Sequence, residues 1–321
     1  MEGPSPFRVL ALDGGGIRGL ITAIWLEALQ ERVGRPLREA FDLIAGTSTG
    51  AVLAAALADG RQPREAAELY VKEAERIFPG RIERLWERAR RGFREGLSAP
   101  RYSGEGLDKV LKREFGDRRL GDLPVRTLIT AYDAYGREPV VFKSWRREYR
   151  RVKVWEACRA SGAAPSYFPA HVLTLAGRRR PMLDGGVVAN NPSACALAEA
   201  WRLAERTGHR APAVLLASFG TGESTRPITI DEARGWGALE WAVPIIDVLF
   251  DGAADSVHYI VGQLLEPGDY FRFQTPLELA YDDIDNVDHT NLAALRRTAE
   301  AYLAGEGGPK LDALAARLNE R

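Results

Sequence analysis

The residues best suited to chemistry are Gly46-Thr47-Ser48-Thr49-Gly50. A serine in the middle of Gly-x-Ser-x-Gly, where a strand turns sharply into a helix, has its hydroxyl pushed out of the fold as a nucleophile. Side chains at Gly46 and Gly50 would crowd the backbone of so sharp a turn. The other reading is a glycine-rich loop whose serine caps the following helix. A nucleophilic serine also needs a base, donors for an oxyanion and a site that excludes water. Gly14, Gly15 and Gly16 offer the donors, with N–H groups after a strand and the positive end of a helix behind them. Such donors contribute about 3–4 kcal/mol each to transition-state stabilisation. Asp184, in Met182-Leu183-Asp184-Gly185-Gly186, is the candidate base, because the two glycines let it sit beside another loop without obstruction. An Asp-Gly turn between two strands is the plainer reading. An unperturbed aspartate, pKa about 3.9, is a weak base for a serine. Burial must raise it, or the Ser48–Asp184 contact must strengthen in the transition state.

Competing chemistry is written into the same residues. Gly14-x-Gly16-x-x-Gly19 after a strand, with Glu39 or Asp42 about 20 residues on, is also the dinucleotide fingerprint. That alternative makes the chain a Rossmann-like nucleotide-binding protein, but it leaves Ser48 and Asp184 without a role. A Ser-acid-His triad is the other rival. The four histidines are His171, His209, His258 and His289. The last three are eligible by chain order, and none stands in a recognisable loop motif. The acidic run Asp282 to Asp288 lacks the glycine and glutamate of a calcium loop, and reads as a loop and cap before the helix after Thr290.

The elements that must position these residues follow from periodicity. Arg8 to Asp13 is a buried strand, and Leu20 to Val33 is a helix with apolar Ile21, Ile24, Leu26 and Leu29. Phe41 to Ala45 is the strand before the elbow, and Ala51 to Ala58 the helix after it. Helices are also expected at 64–78, 107–115, 154–163 and 193–207. Strands are expected at 127–132, 138–143, 172–175 and 213–219, and the remainder is largely helical. Continuous apolar strands alternating with helices predict a mostly parallel central sheet covered on both faces, a three-layer α/β/α fold.

Taken in order, Asp13-Gly14-Gly15-Gly16-Ile17-Arg18-Gly19, Gly46 to Gly50 and Asp184-Gly185-Gly186 resemble the patatin-like phospholipases, serine lipid acyl hydrolases. Ala160 to Pro169 and Ser218-Phe219-Gly220-Thr221-Gly222 extend the resemblance over residues 7–222. Residues 223–321 match more loosely and are read as the mostly helical end of one domain spanning 1–321. The resemblance implies a Ser48–Asp184 dyad without histidine, an acyl-enzyme intermediate and an oxyanion hole from Gly14 to Gly16. It places Arg18 where a basic residue fixes the loop or attracts an anionic headgroup. It gives Gly19, Gly46, Gly50, Gly185 and Gly186 supporting positions. The implied substrate is a phospholipid or other acyl lipid, with no cofactor and no metal.

Composition narrows the partners. Apolar residues make up 45% and charged residues 27% of the 321, as in soluble globular proteins. Formal net charge is zero, so nothing argues for bulk attraction to nucleic acid. Two cysteines, Cys158 and Cys195, make no disulfide framework. The N-terminal residues lack the basic start and apolar stretch of a signal peptide, so a cytoplasmic protein is expected, with peripheral contact at a membrane surface. Two segments are candidates for that contact, and core packing is the other reading of each. Residues 81–95 place Ile82, Leu85, Trp86, Ala89 and Phe93 on one face among arginines. Residues 236–250 carry Trp241, Ile245, Ile246, Leu249 and Phe250, with Pro244 expected to kink or interrupt a helix.

Overall fold

A computed structural model describes residues 5–80, 99–205, 213–241 and 244–320. The expected segment 81–95 therefore lies outside the described residues. Eight strands form one mixed sheet: β1 (Phe7–Leu12), β2 (Leu43–Gly46), β3 (Arg126–Asp133), β4 (Glu138–Lys143), β5 (His171–Leu175), β6 (Arg178–Asp184), β7 (Val214–Phe219) and β8 (Tyr270–Phe273). Their order is β5-β6-β3-β2-β1-β7-β8, with β4 on β3. The β3–β2–β1–β7–β8 part is parallel, and the pairings of β3 with β4, β3 with β6 and β5 with β6 are antiparallel.

The apolar runs are continuous because both faces of the sheet are covered. Along β1, Leu10 and Leu12 enter one core with α1 (Gly19–Val33) and α2 (Thr49–Asp59). Val9 and Ala11 face the other way and pack with Ala196, Leu197 and Ala200. Those three lie on α6 (Ser193–Glu205), which follows α3 (Pro63–Ile77), α4 (Glu105–Phe115) and α5 (Val154–Ser161). The chain ends in α7 (Pro244–Leu264), α8 (His289–Tyr302) and α9 (Gly308–Asn319). Trp25 of α1 ties this end to the first core: its ring lies 4.7 Å from that of Tyr302, and its Nε1 donates to the Ala299 carbonyl at 3.1 Å.

Two elements differ from expectation. β6 begins with Arg178-Arg179-Arg180, which hides a strand that pairs with β5 across a turn with positive φ at Ala176 and Gly177. β8 has only four residues, one of them Arg272, within a stretch expected to be helical. At Pro244 the expected kink or interruption of a helix over 236–250 is an interruption: a short helical turn at Ala238–Trp241 and α7 are separate elements. Pro244 opens α7, where its missing N–H costs nothing. On α7, Ile246 and Phe250 face the core while Ile245, Val248 and Leu249 stand exposed. Among the described residues, no helix is long and apolar enough to cross a membrane.

Candidate active site

Register brings the candidate nucleophile and base together. β2 ends at Gly46, opposite Ile129 of β3. Two residues further along β3, Ala131 pairs with Asp184, where antiparallel β6 ends. The edge of β3 is thus handed from β2 to β6 where the elbow leaves the sheet.

Ser48 sits in that turn at φ 54°, ψ −117°, a conformation costly for a non-glycine residue. Around it the backbone is packed without slack. A Cβ on Gly46 would lie 2.1 Å from the Gly50 carbonyl oxygen, and one on Gly50 would lie 2.2 Å from the Leu12 oxygen. Gly46→Ala or Gly50→Ala should therefore cost about 3 kcal/mol or more, because the obstruction is backbone that cannot swing aside. A urea unfolding midpoint unchanged from wild type would show that the elbow relaxes. Thr47 anchors the turn below, with Oγ1 2.7 Å from Thr130 Oγ1 and donating to the Ala189 carbonyl at 2.7 Å.

Ser48 Oγ donates to Asp184 Oδ2 at 2.8 Å. Asp184 Oδ1 accepts the Gly186 N–H at 2.7 Å, and the Asp184 N–H donates to the Ala163 carbonyl at 3.0 Å. The carboxylate is fully buried. Burial pushes its pKa up from 3.8 to about 7, against the lowering effect of the Gly186 and Ser48 hydrogen bonds and of Arg159. Gly185 passes close to Thr130 and Gly186 to the Phe250 ring, at distances a Cβ would close. Ser48 N–H donates to Ser161 Oγ at 2.7 Å. Ser161 belongs to the Ala160–Pro169 stretch, which the sequence assigned to no role.

The triglycine loop lies directly against the elbow. A Cβ on Gly14 would approach Ser48 Cβ to 3.2 Å. The Gly14 N–H is already donated to the Asn190 carbonyl at 3.1 Å, which removes it from the expected set of free donors. Among the described residues, the N–H groups of Gly15, Gly16 and Thr49 meet no acceptor. Gly16 and Thr49 line the same cleft as Ser48 and Asp184. The glycines make room for protein: Thr221 against Gly15, and the Ile284 carbonyl against Gly16. A dinucleotide fingerprint keeps such space for a pyrophosphate. Arg18 is buried, and its Nη1 donates to the Asp282 carbonyl at 3.4 Å. Gly19 packs against Thr49 and Tyr70.

The cleft beyond Ser48 is apolar, walled by Val52, Leu69, Ile77, Phe78, Val110 and Phe168. Among the described residues, no histidine hydrogen-bonds to Ser48 or Asp184. His171 lies edge-on to Trp155, and burial and Arg159 lower its pKa to about 4. His258 meets the Tyr270 hydroxyl, and His289 opens α8. His209 lies outside the described residues. No group of three or more His, Cys, Asp or Glu among the described residues is arranged to hold a metal.

A mostly parallel sheet with helices on both faces carries an elbow serine beside a buried aspartate, and comparison makes the class particular. The family described as patatin-like phospholipase matches residues 10–196. Patatin-like protein 2 of Arabidopsis thaliana is 29% identical over 92% of this chain and 82% of its own length. Patatin-like protein 1 of Oryza sativa subsp. indica is 31% identical over 92% and 81%. Among solved structures, VipD from Legionella pneumophila aligns over 94% of this chain and 68% of its own, at 14% identity and a TM-score of 0.44. The chain belongs to the patatin-like phospholipase family, which makes it a lipid ester hydrolase.

Proposed function

We propose that this is a serine lipid acyl hydrolase of phospholipase A type, with Ser48 as nucleophile and Asp184 as its base. The 2.8 Å hydrogen bond from a strained serine to a buried carboxylate, at the head of an apolar cleft, carries this reading. Ionised Asp184 takes the hydroxyl proton as Ser48 Oγ attacks the ester carbonyl. The oxyanion is received by the N–H groups of Gly15 and Gly16 in the triglycine loop, with Thr49 N–H beside them at the positive end of α2. Asp184 returns the proton to the departing alcohol, and the acyl chain remains on Ser48 in the cleft. Water, deprotonated by Asp184, then releases the fatty acid. The whole chain, 1–321, serves as one unit in this scheme, with the substrate drawn from a lipid surface.

A fluorophosphonate probe tests the assignment. It should add one phosphonyl group to the protein, on the peptide containing Ser48, and Ser48→Ala should remain unmodified. A nucleotide-binding protein has no reason to react. An adduct elsewhere, or none, would overturn the reading.

A further inference from the structure

A buried ion pair lies behind the triglycine loop, and it comes from a strand outside the residues that the family description matches. Asp13, joining β1 to the loop, is 1% exposed, and Arg272 of β8 is 8% exposed. Arg272 Nη2 lies 2.7 Å from Asp13 Oδ2, and its Nη1 donates to Ser218 Oγ at 2.9 Å. Ser218, on β7, reaches Asn191 Oδ1 at 3.5 Å. The preceding carbonyl, that of Asn190, accepts the Gly14 N–H. The Gly14 carbonyl in turn accepts Thr221 Oγ1 at 2.9 Å. One guanidinium thus ties together the start of the donor loop and the segment that runs on from Asp184.

The charges explain why an ion pair stands there. The N–H groups of Gly15 and Gly16, two or three residues from Asp13, must receive a second negative charge when the oxyanion forms. An uncompensated carboxylate behind them would oppose it, since buried charges are poorly screened. Burial pushes Asp13 toward its neutral form and Arg272 pulls it back, and the balance leaves its pKa raised from 3.8 to about 6. A neutral apolar residue at 272 would leave either a stray anion or a collapsed contact at the root of the loop.

We infer that Arg272 is a positioning residue for ester hydrolysis: by pairing with Asp13 and bonding Ser218, it holds the Gly14–Gly16 loop where its donors meet an oxyanion on the Ser48 substrate. The inference rests on the hydrolase reading above. Its signature differs from that of a merely structural residue. Damaged donors slow an oxygen ester more than the matching thionoester, whose sulfur anion depends less on hydrogen bonds. Loosened packing slows both alike.

The test is steady-state hydrolysis of a p-nitrophenyl ester and its thionoester by wild type, Arg272→Met and Arg272→Lys, with folding checked by circular dichroism. Arg272→Met should lose about 100-fold in kcat on the oxygen ester, the cost of a displaced donor, with KM within about threefold. Its oxygen-to-thiono rate ratio should shrink. Arg272→Lys keeps the charge but cannot span both Asp13 and Ser218, and should fall between. A rate ratio unchanged in both variants overturns the inference. If Arg272→Met does not fold, the ratio in Arg272→Lys decides. Wild type inert on the oxygen ester would instead bring down the hydrolase reading itself.

Discussion

Ser48→Ala or Asp184→Asn is expected to lower ester hydrolysis by about 10⁴-fold while leaving the protein folded. Alanine at 48 keeps the backbone of the turn and removes only Oγ, whose sole described bond is to Asp184. Asparagine at 184 keeps the shape, and its oxygen still accepts the Gly186 N–H. Its amide, however, would donate to Ser48 Oγ where the carboxylate accepts, and it has no capacity to take a proton. The double variant should be scarcely slower than either single one, because nucleophile and base act in one step. The measurements are kcat/KM on a p-nitrophenyl ester beside far-ultraviolet circular dichroism. Full activity in either folded variant would remove the dyad.

Much of this was legible because the site stands on elements with strong patterns. β1, β2 and β7 are buried on both faces, so they read as unbroken apolar runs, and the glycines between strand and helix mark where the backbone must approach itself. Residue type and order then pointed to Ser48 and Asp184. What stayed hidden depends on pairing across long distances in the chain. Arg180 at the polar start of β6 makes sense only beside Asp133, its buried partner at 2.5 Å. β8 is short and carries Arg272, which reads as surface until Asp13 is set opposite it. Taken alone, the triglycine loop favours the dinucleotide reading, until Thr221 and Ile284 are seen filling the space beside it. The commitment of the Gly14 N–H to Asn190 has no local signal. Nor has the burial that raises the Asp184 pKa, since Ala163 and Ser48 reach Asp184 from separate segments.

That burial has a cost that can be measured. Folded Asp184 keeps its proton up to about pH 7, whereas the unfolded chain releases it near 3.8. Between those values the folded protein binds more protons than the unfolded one, so stability falls as pH rises through the window. Below it both states are protonated and nothing is lost, and above about pH 7 the loss is complete and level. A displacement from 3.8 to about 7 corresponds to about 4 kcal/mol. An asparagine side chain is neutral throughout and escapes it. Asp184→Asn should therefore match wild type in urea unfolding near pH 4 and exceed it by a few kcal/mol at pH 8. Asp13, raised to about 6, titrates in both proteins and cancels from the difference. Activity has the opposite slope. Only ionised Asp184 accepts the Ser48 proton, so kcat/KM of wild type should rise about tenfold per pH unit below pH 7 and flatten above it. A stability difference that does not vary with pH would mean that Asp184 is not the group titrating there. If activity flattens at the same pH at which the stability loss levels off, about 7, the charge that makes the base strong enough for serine is the charge whose burial destabilises the fold.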